Sequence, residues 1–201
     1  MAFTFFFRDI HTIELMVSYV VPFVSGRSVV RIWDAGCAMG PELYTIAIAF
    51  AEKMGYFAFK GLKIDASDLD ENDTFGKIVM NGIYSSDELA RIPRDIFEKY
   101  FQPADADGFH KIIDPLRNRI NFYKHDLLSL KPVGSEYALV ICKNVLLHFT
   151  HQERVNVIRM FHDSLCSGGY LVMEQTQPLP SELESCFEKV VTDAQLYKKR
   201  S

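Results

Sequence analysis

The sequence has no CxxC pair and only four cysteines, Cys37, Cys142, Cys166 and Cys186, all widely spaced. Without paired spacing or a cluster of histidines beside them, a zinc site and a disulfide framework are both disfavoured, and no metal is expected. Buried, small apolar roles are the default for such cysteines. Positive charge is not in surplus either: 22 Lys and Arg stand against 26 Asp and Glu, a formal net charge of −4. That removes the electrostatic footprint of a nucleic-acid binder. No apolar stretch reaches the ~20 residues a membrane-spanning helix needs. The aromatics at Phe5 to Phe7 run straight into Arg8 and Asp9, so a signal-peptide core is missing too. No nucleic-acid partner, no membrane insertion and a cytoplasmic location follow as expectations.

What is present is an ordinary globular composition, with 48% hydrophobic and 24% charged residues in 201. That length suits one α/β domain over residues 1–201. Residues 29–37, 62–68, 137–142 and 170–174 read as strands, and 186–198 as a final strand pair. Helical patterns fill about 42–54 and 151–166, the second ending at Gly168-Gly169, and a polar helical pattern spans 70–101. Residues 111–123 suggest short strands around Asp114-Pro115, and 105–108 an exposed loop. Strands alternating with helices predict a parallel sheet covered on both faces.

The turn at residues 34–40, Asp-Ala-Gly-Cys-Ala-Met-Gly, sits between the first strand and a helix. Gly36 and Gly40 permit close backbone approach to a ligand at the carboxyl edge of the sheet. A phosphate loop would need Lys and Ser or Thr after the last glycine, and here Pro41 and Glu42 follow. Asp34 and Glu42 would repel a pyrophosphate. They suit a cation that also carries hydroxyls and an ammonium, as S-adenosylmethionine (SAM) does. Asp68, ending the second strand, is placed to accept hydrogen bonds from ribose hydroxyls. The plainer alternatives are that both glycines only shape a tight turn and that Asp68 caps the next helix.

Six segments then align in order with one family. Thr4-Phe5-Phe6-Phe7-Arg8-Asp9 resembles TxFFRD, and residues 31–47 resemble RVWSAGCSTGEEPYSLA. Residues 66–70 resemble ATDID, Gly82-Ile83-Tyr84 resembles GxY, 142–146 resemble CRNVL, and 168–171 match GGYL. The chain thus resembles the chemotaxis receptor methyltransferases of the CheR type, which move a methyl group from SAM to receptor glutamates. The resemblance implies a Rossmann-like SAM-dependent methyltransferase sheet with a small antiparallel β insertion, for which about 108–125 is the natural place. It implies cofactor contacts at Thr4, Arg8, Glu42, Asp68, Asp126, Leu127, Asn144 and Val145, with S-adenosylhomocysteine (SAH) as the product.

It also implies a chemoreceptor or other acidic protein as substrate, with Arg8 orienting the acceptor carboxylate or the cofactor. Several positions depart from the family. Asp126 stands where Asn is usual, exchanging an amide donor for an acceptor that suits an adenine amino group. Pro41 and Leu43 alter the GEEPY stretch, His148 replaces the Tyr of NVLIYF on the substrate side, and residues 174–177 replace GHSE. The family's N-terminal helical domain has no counterpart before Thr4 in this sequence; it is either naturally absent or removed, and a separate partner in its place is one expectation. An active carboxyl methyltransferase, a methyltransferase of another acceptor, and a SAM- or SAH-binding regulatory module all remain compatible with these residues.

Overall fold

The computed structural model describes residues 4–200, apart from the Tyr56 side chain, so residues 1–3 and 201 of the expected domain lie outside it. In chain order the elements are α1 (Ile10–Phe23), β1 (Val30–Ala35), α2 (Pro41–Met54), α3 (Tyr56–Phe59), β2 (Leu62–Asp68) and α4 (Phe75–Asn81). Then follow β3 (Ile83–Ser85), α5 (Ser86–Leu89), α6 (Arg94–Tyr100), β4 (Phe101–Pro103), β5 (Phe109–Ile112), α7 (Asp114–Arg117) and β6 (Ile120–Lys124). The chain closes with β7 (Tyr137–Cys142), α8 (His151–Ser164), β8 (Leu165–Met173), β9 (Phe187–Lys189) and β10 (Leu196–Lys199).

Seven strands form one sheet in the order β6-β2-β1-β7-β8-β10-β9. The first five are mutually parallel, and β10 runs antiparallel to both β8 and β9. All six residues of β7 are buried, as expected of a central parallel strand covered on both faces. Side chains alternate between two apolar layers. Ile32, Leu139, Ile141 and Val172 face the layer containing α1 and α2, while Trp33, Val140, Cys142 and Leu171 face α8. Three of the four cysteines are buried and all four are free thiols. Among the described residues no helix is long and apolar enough to cross a membrane.

Two helices show how local sequence fixes the frame. Helix α2 starts on Gly40, whose φ of 96° is left-handed, followed by Pro41 at the first position. Helix α8 starts on a capping box, in which Thr150 Oγ1 accepts from Glu153 N and Glu153 Oε2 accepts from Thr150 N at 2.8 Å. Its other end differs from the sequence expectation. The helix stops at Ser164, and Lys199 Nζ donates to the carbonyls of His162 and Leu165, both at 2.8 Å. Gly168 and Gly169 lie inside β8, beside a register shift against β7. A Cβ on Gly169 would stand 2.9 Å from the Tyr137 carbonyl, so this pair lets two strands approach rather than ending a helix.

The small antiparallel sheet has the order β3-β5-β4 and lies within residues 83–112. Only β5 falls within the expected 108–125, because β6 pairs parallel with β2 at the edge of the main sheet. The strands β3 and β4 are three residues each, too short to display a period of two. This sheet packs onto the glycine turn: Tyr84 Oη donates to Met39 O at 2.8 Å, and Phe6 meets Tyr84 and Phe101 edge-on.

Candidate cofactor and active site

A cavity of about 690 Å³ opens at the carboxyl ends of β1, β2 and β7. That is the region where open α/β sheets take ligands, and the volume is in the range of cofactor pockets. Its walls include Thr4 and Arg8, Gly36, Glu42, Asp68, Asp126 and Leu127, and Asn144, Val145 and His148. These ten residues, expected from distant parts of the sequence, converge there.

Gly36 has a φ of 100°, and a Cβ at this position would lie 2.2 Å from Val145 Cγ2. Only glycine meets both conditions without strain. The turn is held by Gly36 N and Cys37 N, which donate to Ser67 O at 2.7 and 3.1 Å. Ala38, at φ 48°, donates its N–H to Asp68 Oδ2 at 2.9 Å. Asp68 therefore braces the turn from the second strand. It does not cap α4: the amides of Thr74, Phe75 and Gly76 donate to the Asp70 carboxylate at 2.8 to 3.0 Å. Burial opposes ionisation of Asp70, and those three amides outweigh it, holding its carboxyl below the ordinary value.

The amino-terminal segment closes one side of the cavity. Phe7 N donates to Thr45 Oγ1 at 3.1 Å, and Arg8 Nη2 donates to Asn144 Oδ1 at 3.3 Å. Asn144 itself adopts φ 60°. Asp126 Oδ1 accepts from Leu128 N at 2.9 Å, which fixes the short turn carrying Leu127. His148 is exposed on the rim.

Two expected contacts are set back from the cavity. Asp34 is 2% exposed inside the sheet, and its Oδ2 has no hydrogen-bond partner among the described residues. Burial first, then the charge of Glu42, pushes its pKa well above the ordinary carboxylate value, with Lys143 opposing. Gly40 faces Tyr84 Oη and Val79, toward the small sheet. Sequence reasoning missed Lys143, which lines the cavity with its side chain 3% exposed. Its Nζ meets Glu42 Oε2 at 2.8 Å and Asp9 Oδ2 at 3.3 Å, joining β7, α2 and the entry segment. Its position inside the 142–146 motif was the available signal. Among the described residues no three His, Cys, Asp or Glu side chains are placed to share a metal ion.

The arrangement is acidic where a nucleoside and an ammonium would lie, and it has Arg8 at one end. A seven-stranded, mainly parallel sheet with this carboxylate-lined cavity at its carboxyl edge defines a Rossmann-like SAM-binding domain. The profile of the CheR methyltransferase SAM-binding domain matches residues 2–196, and the chain belongs to that family. It is 28% identical over 189 residues to chemotaxis protein methyltransferase 2 of Vibrio cholerae, covering 92% of this chain and 64% of that protein. A chemotaxis protein methyltransferase of Borreliella burgdorferi is also 28% identical, covering 88% and 64% respectively. The chain thus spans a little under two thirds of the length of these relatives. Among solved structures, the DszA carbon methyltransferase shares the fold with a TM-score of 0.51 at 14% identity, covering 82% of this chain and 35% of that one.

Proposed function

We propose that the chain is an active SAM-dependent O-methyltransferase acting on glutamate side chains of chemoreceptor-type proteins. The observation that carries the reading is Arg8 held against Asn144 at the wall of a carboxylate-lined cavity. The cavity lining fits the cofactor: Asp68 would accept from ribose hydroxyls, Glu42, which already holds Lys143, would add negative charge for the ammonium, Asp126 would accept from the exocyclic amine, and Leu127 and Val145 would offer apolar surface. When bound, SAM supplies an electrophilic methyl group on a sulfonium.

A glutamate acceptor, with an ordinary pKa of about 4.3, is already ionised at neutral pH and needs no base. The work left to the protein is orientation and exclusion of water, which supply several kcal/mol. Arg8 presents a guanidinium that engages a carboxylate through two donors. Asn144 fixes the plane of that guanidinium from one side. His148, on the open rim, meets the residues flanking the acceptor. Lys143 is engaged by Glu42 and Asp9, and Arg8, which also lines the cavity, is the cation assigned to the acceptor. The names of the Vibrio and Borreliella relatives support a chemotaxis role, and the excess of acid on the cofactor side supports the choice of ligand.

The test is transfer of labelled methyl from SAM to a soluble chemoreceptor fragment. A base-labile product that disappears when the receptor glutamates are changed to alanine is the expected result. Calorimetric binding of SAM and SAH with no transfer to a broad panel of acidic acceptors would overturn the reading in favour of a regulatory module.

A further inference from the structure

Beyond the cavity wall, one buried acid has no role in the reading above. Glu174 directly follows β8 and is 4% exposed. Its Oε1 accepts from Leu147 N at 3.1 Å, and its Oε2 is buried without a hydrogen-bond partner among the described residues. Burial pushes the carboxyl upward from its ordinary pKa, against the pull of its own amide, those of Asn144 and Leu147, and the Arg154 charge. An acid in this setting is costly to keep unless it holds something in place.

What it touches is the turn that builds the cavity's third wall. Leu147 lies in the single helical turn Leu146–His148, directly after Asn144 and Val145. Asn144 sits in the left-handed region at φ 60°, which asparagine adopts more readily than other non-glycine residues and which sets the direction in which the turn leaves β7. Val145 fills the space left by the missing Cβ of Gly36. The turn is therefore gripped by Gly36 on one side and by Glu174 on the other. Glu174 is itself held firmly: Gln177 N donates to its carbonyl at 3.1 Å, Arg154 hydrogen-bonds Gln177, and Gln175 Nε2 donates to Asp193 O at 3.0 Å.

We infer that Glu174 is a positioning residue of the cofactor site, whose carboxyl fixes the 144–148 turn and, through it, the Asn144 contact to Arg8 and the placement of His148. Residues 174–177 are one of the places where this sequence departs from the motif of the family it resembles. The inference rests on the cavity binding SAM or SAH and is independent of which acceptor is methylated.

The experiment compares Glu174→Met, which keeps volume and removes the acceptor, with Glu174→Gln, which keeps an oxygen for Leu147 N. SAH affinity is measured by calorimetry, Leu147 amide exchange by NMR, and the thermal midpoint by calorimetric scanning. For Glu174→Met the expected result is about a tenfold loss of SAH affinity. Faster exchange should be confined to residues 144–148, with a thermal midpoint unchanged or raised. Glu174→Gln should recover affinity to within about twofold. Asn144→Ala should weaken SAH binding less in the Glu174→Met background than in the parent, since both act on one turn. Unchanged affinity in Glu174→Met, equal losses in both variants, or full additivity with Asn144→Ala would each overturn the inference. A parent protein that binds SAH but methylates no receptor would sink the proposed acceptor and leave this inference standing.

Discussion

The two sides of the cavity are built to different standards. On the cofactor side, each acid is tied to backbone or to a cation: Asp68 to Ala38 N, Asp126 to Leu128 N, and Glu42 to Lys143. The turn between them tolerates no side chain at Gly36. On the opposite rim, Leu147 is 44% exposed and His148 is exposed as well. The difference teaches where selection by shape is strict. A fixed ligand needs a fixed wall, whereas a protein acceptor brings its own surface and needs only one or two oriented groups.

The largest test of the strict side is Gly36→Ala. Left-handed strain together with the Val145 collision should destabilise the fold by about 3 kcal/mol and abolish measurable SAH binding. Adding Val145→Ala should restore part of the binding, because it relieves the collision and leaves the strain. Full SAH binding by Gly36→Ala alone would break the comparison outright. Next in size, Arg8→Ala should lower methyl transfer about 100-fold with a smaller effect on SAH affinity. If both transfer and affinity survive, Arg8 has no part in orienting the acceptor.

A third test concerns the buried acid behind the turn. Asp34 keeps its proton to higher pH in the folded chain than in the unfolded one. The folded state then binds more protons between the two pKa values, so stability falls as pH rises through that window. Asp34→Asn should remove this slope, raising the melting temperature at about pH 8 by a few degrees and changing it less at about pH 5. An unchanged slope would mean that Asp34 is ionised in the fold. The smallest effect belongs to the rim. His148→Tyr should shift KM for a receptor fragment by about two- to fivefold and leave SAH affinity alone.

Much of the site was legible because its residues are confined by backbone geometry. Gly36, Asp68 and Asn144 each occupy a strand end where one residue type answers one steric or hydrogen-bonding demand. Asp34 and Gly40 were legible as part of the turn but not as to which way they face: successive strand residues such as Asp34 alternate between the sheet's two sides, and Gly40, at the start of α2, faces Tyr84 and Val79 through a packing no local pattern encodes. Lys143 escaped because its place in the 142–146 motif does not reveal the distant carboxylates, Glu42 and Asp9, that hold its ammonium. In the fold, β7 and α2 announced themselves through length and apolar content. The three-residue strands of the small sheet did not. Helix α1 has buried positions 13, 16, 17 and 20, a helical spacing that the sequence does carry. Gly168-Gly169 misled because glycine marks helix ends and close strand approach alike.

The Phe6 anchor has a practical consequence for handling the protein. Thr4 lines the cavity while Phe6, two residues on, is wedged between Tyr84 and Phe101. A label or cross-linker placed on either side of Phe6 will therefore report on the cavity wall itself, because Thr4 and Arg8 both line it.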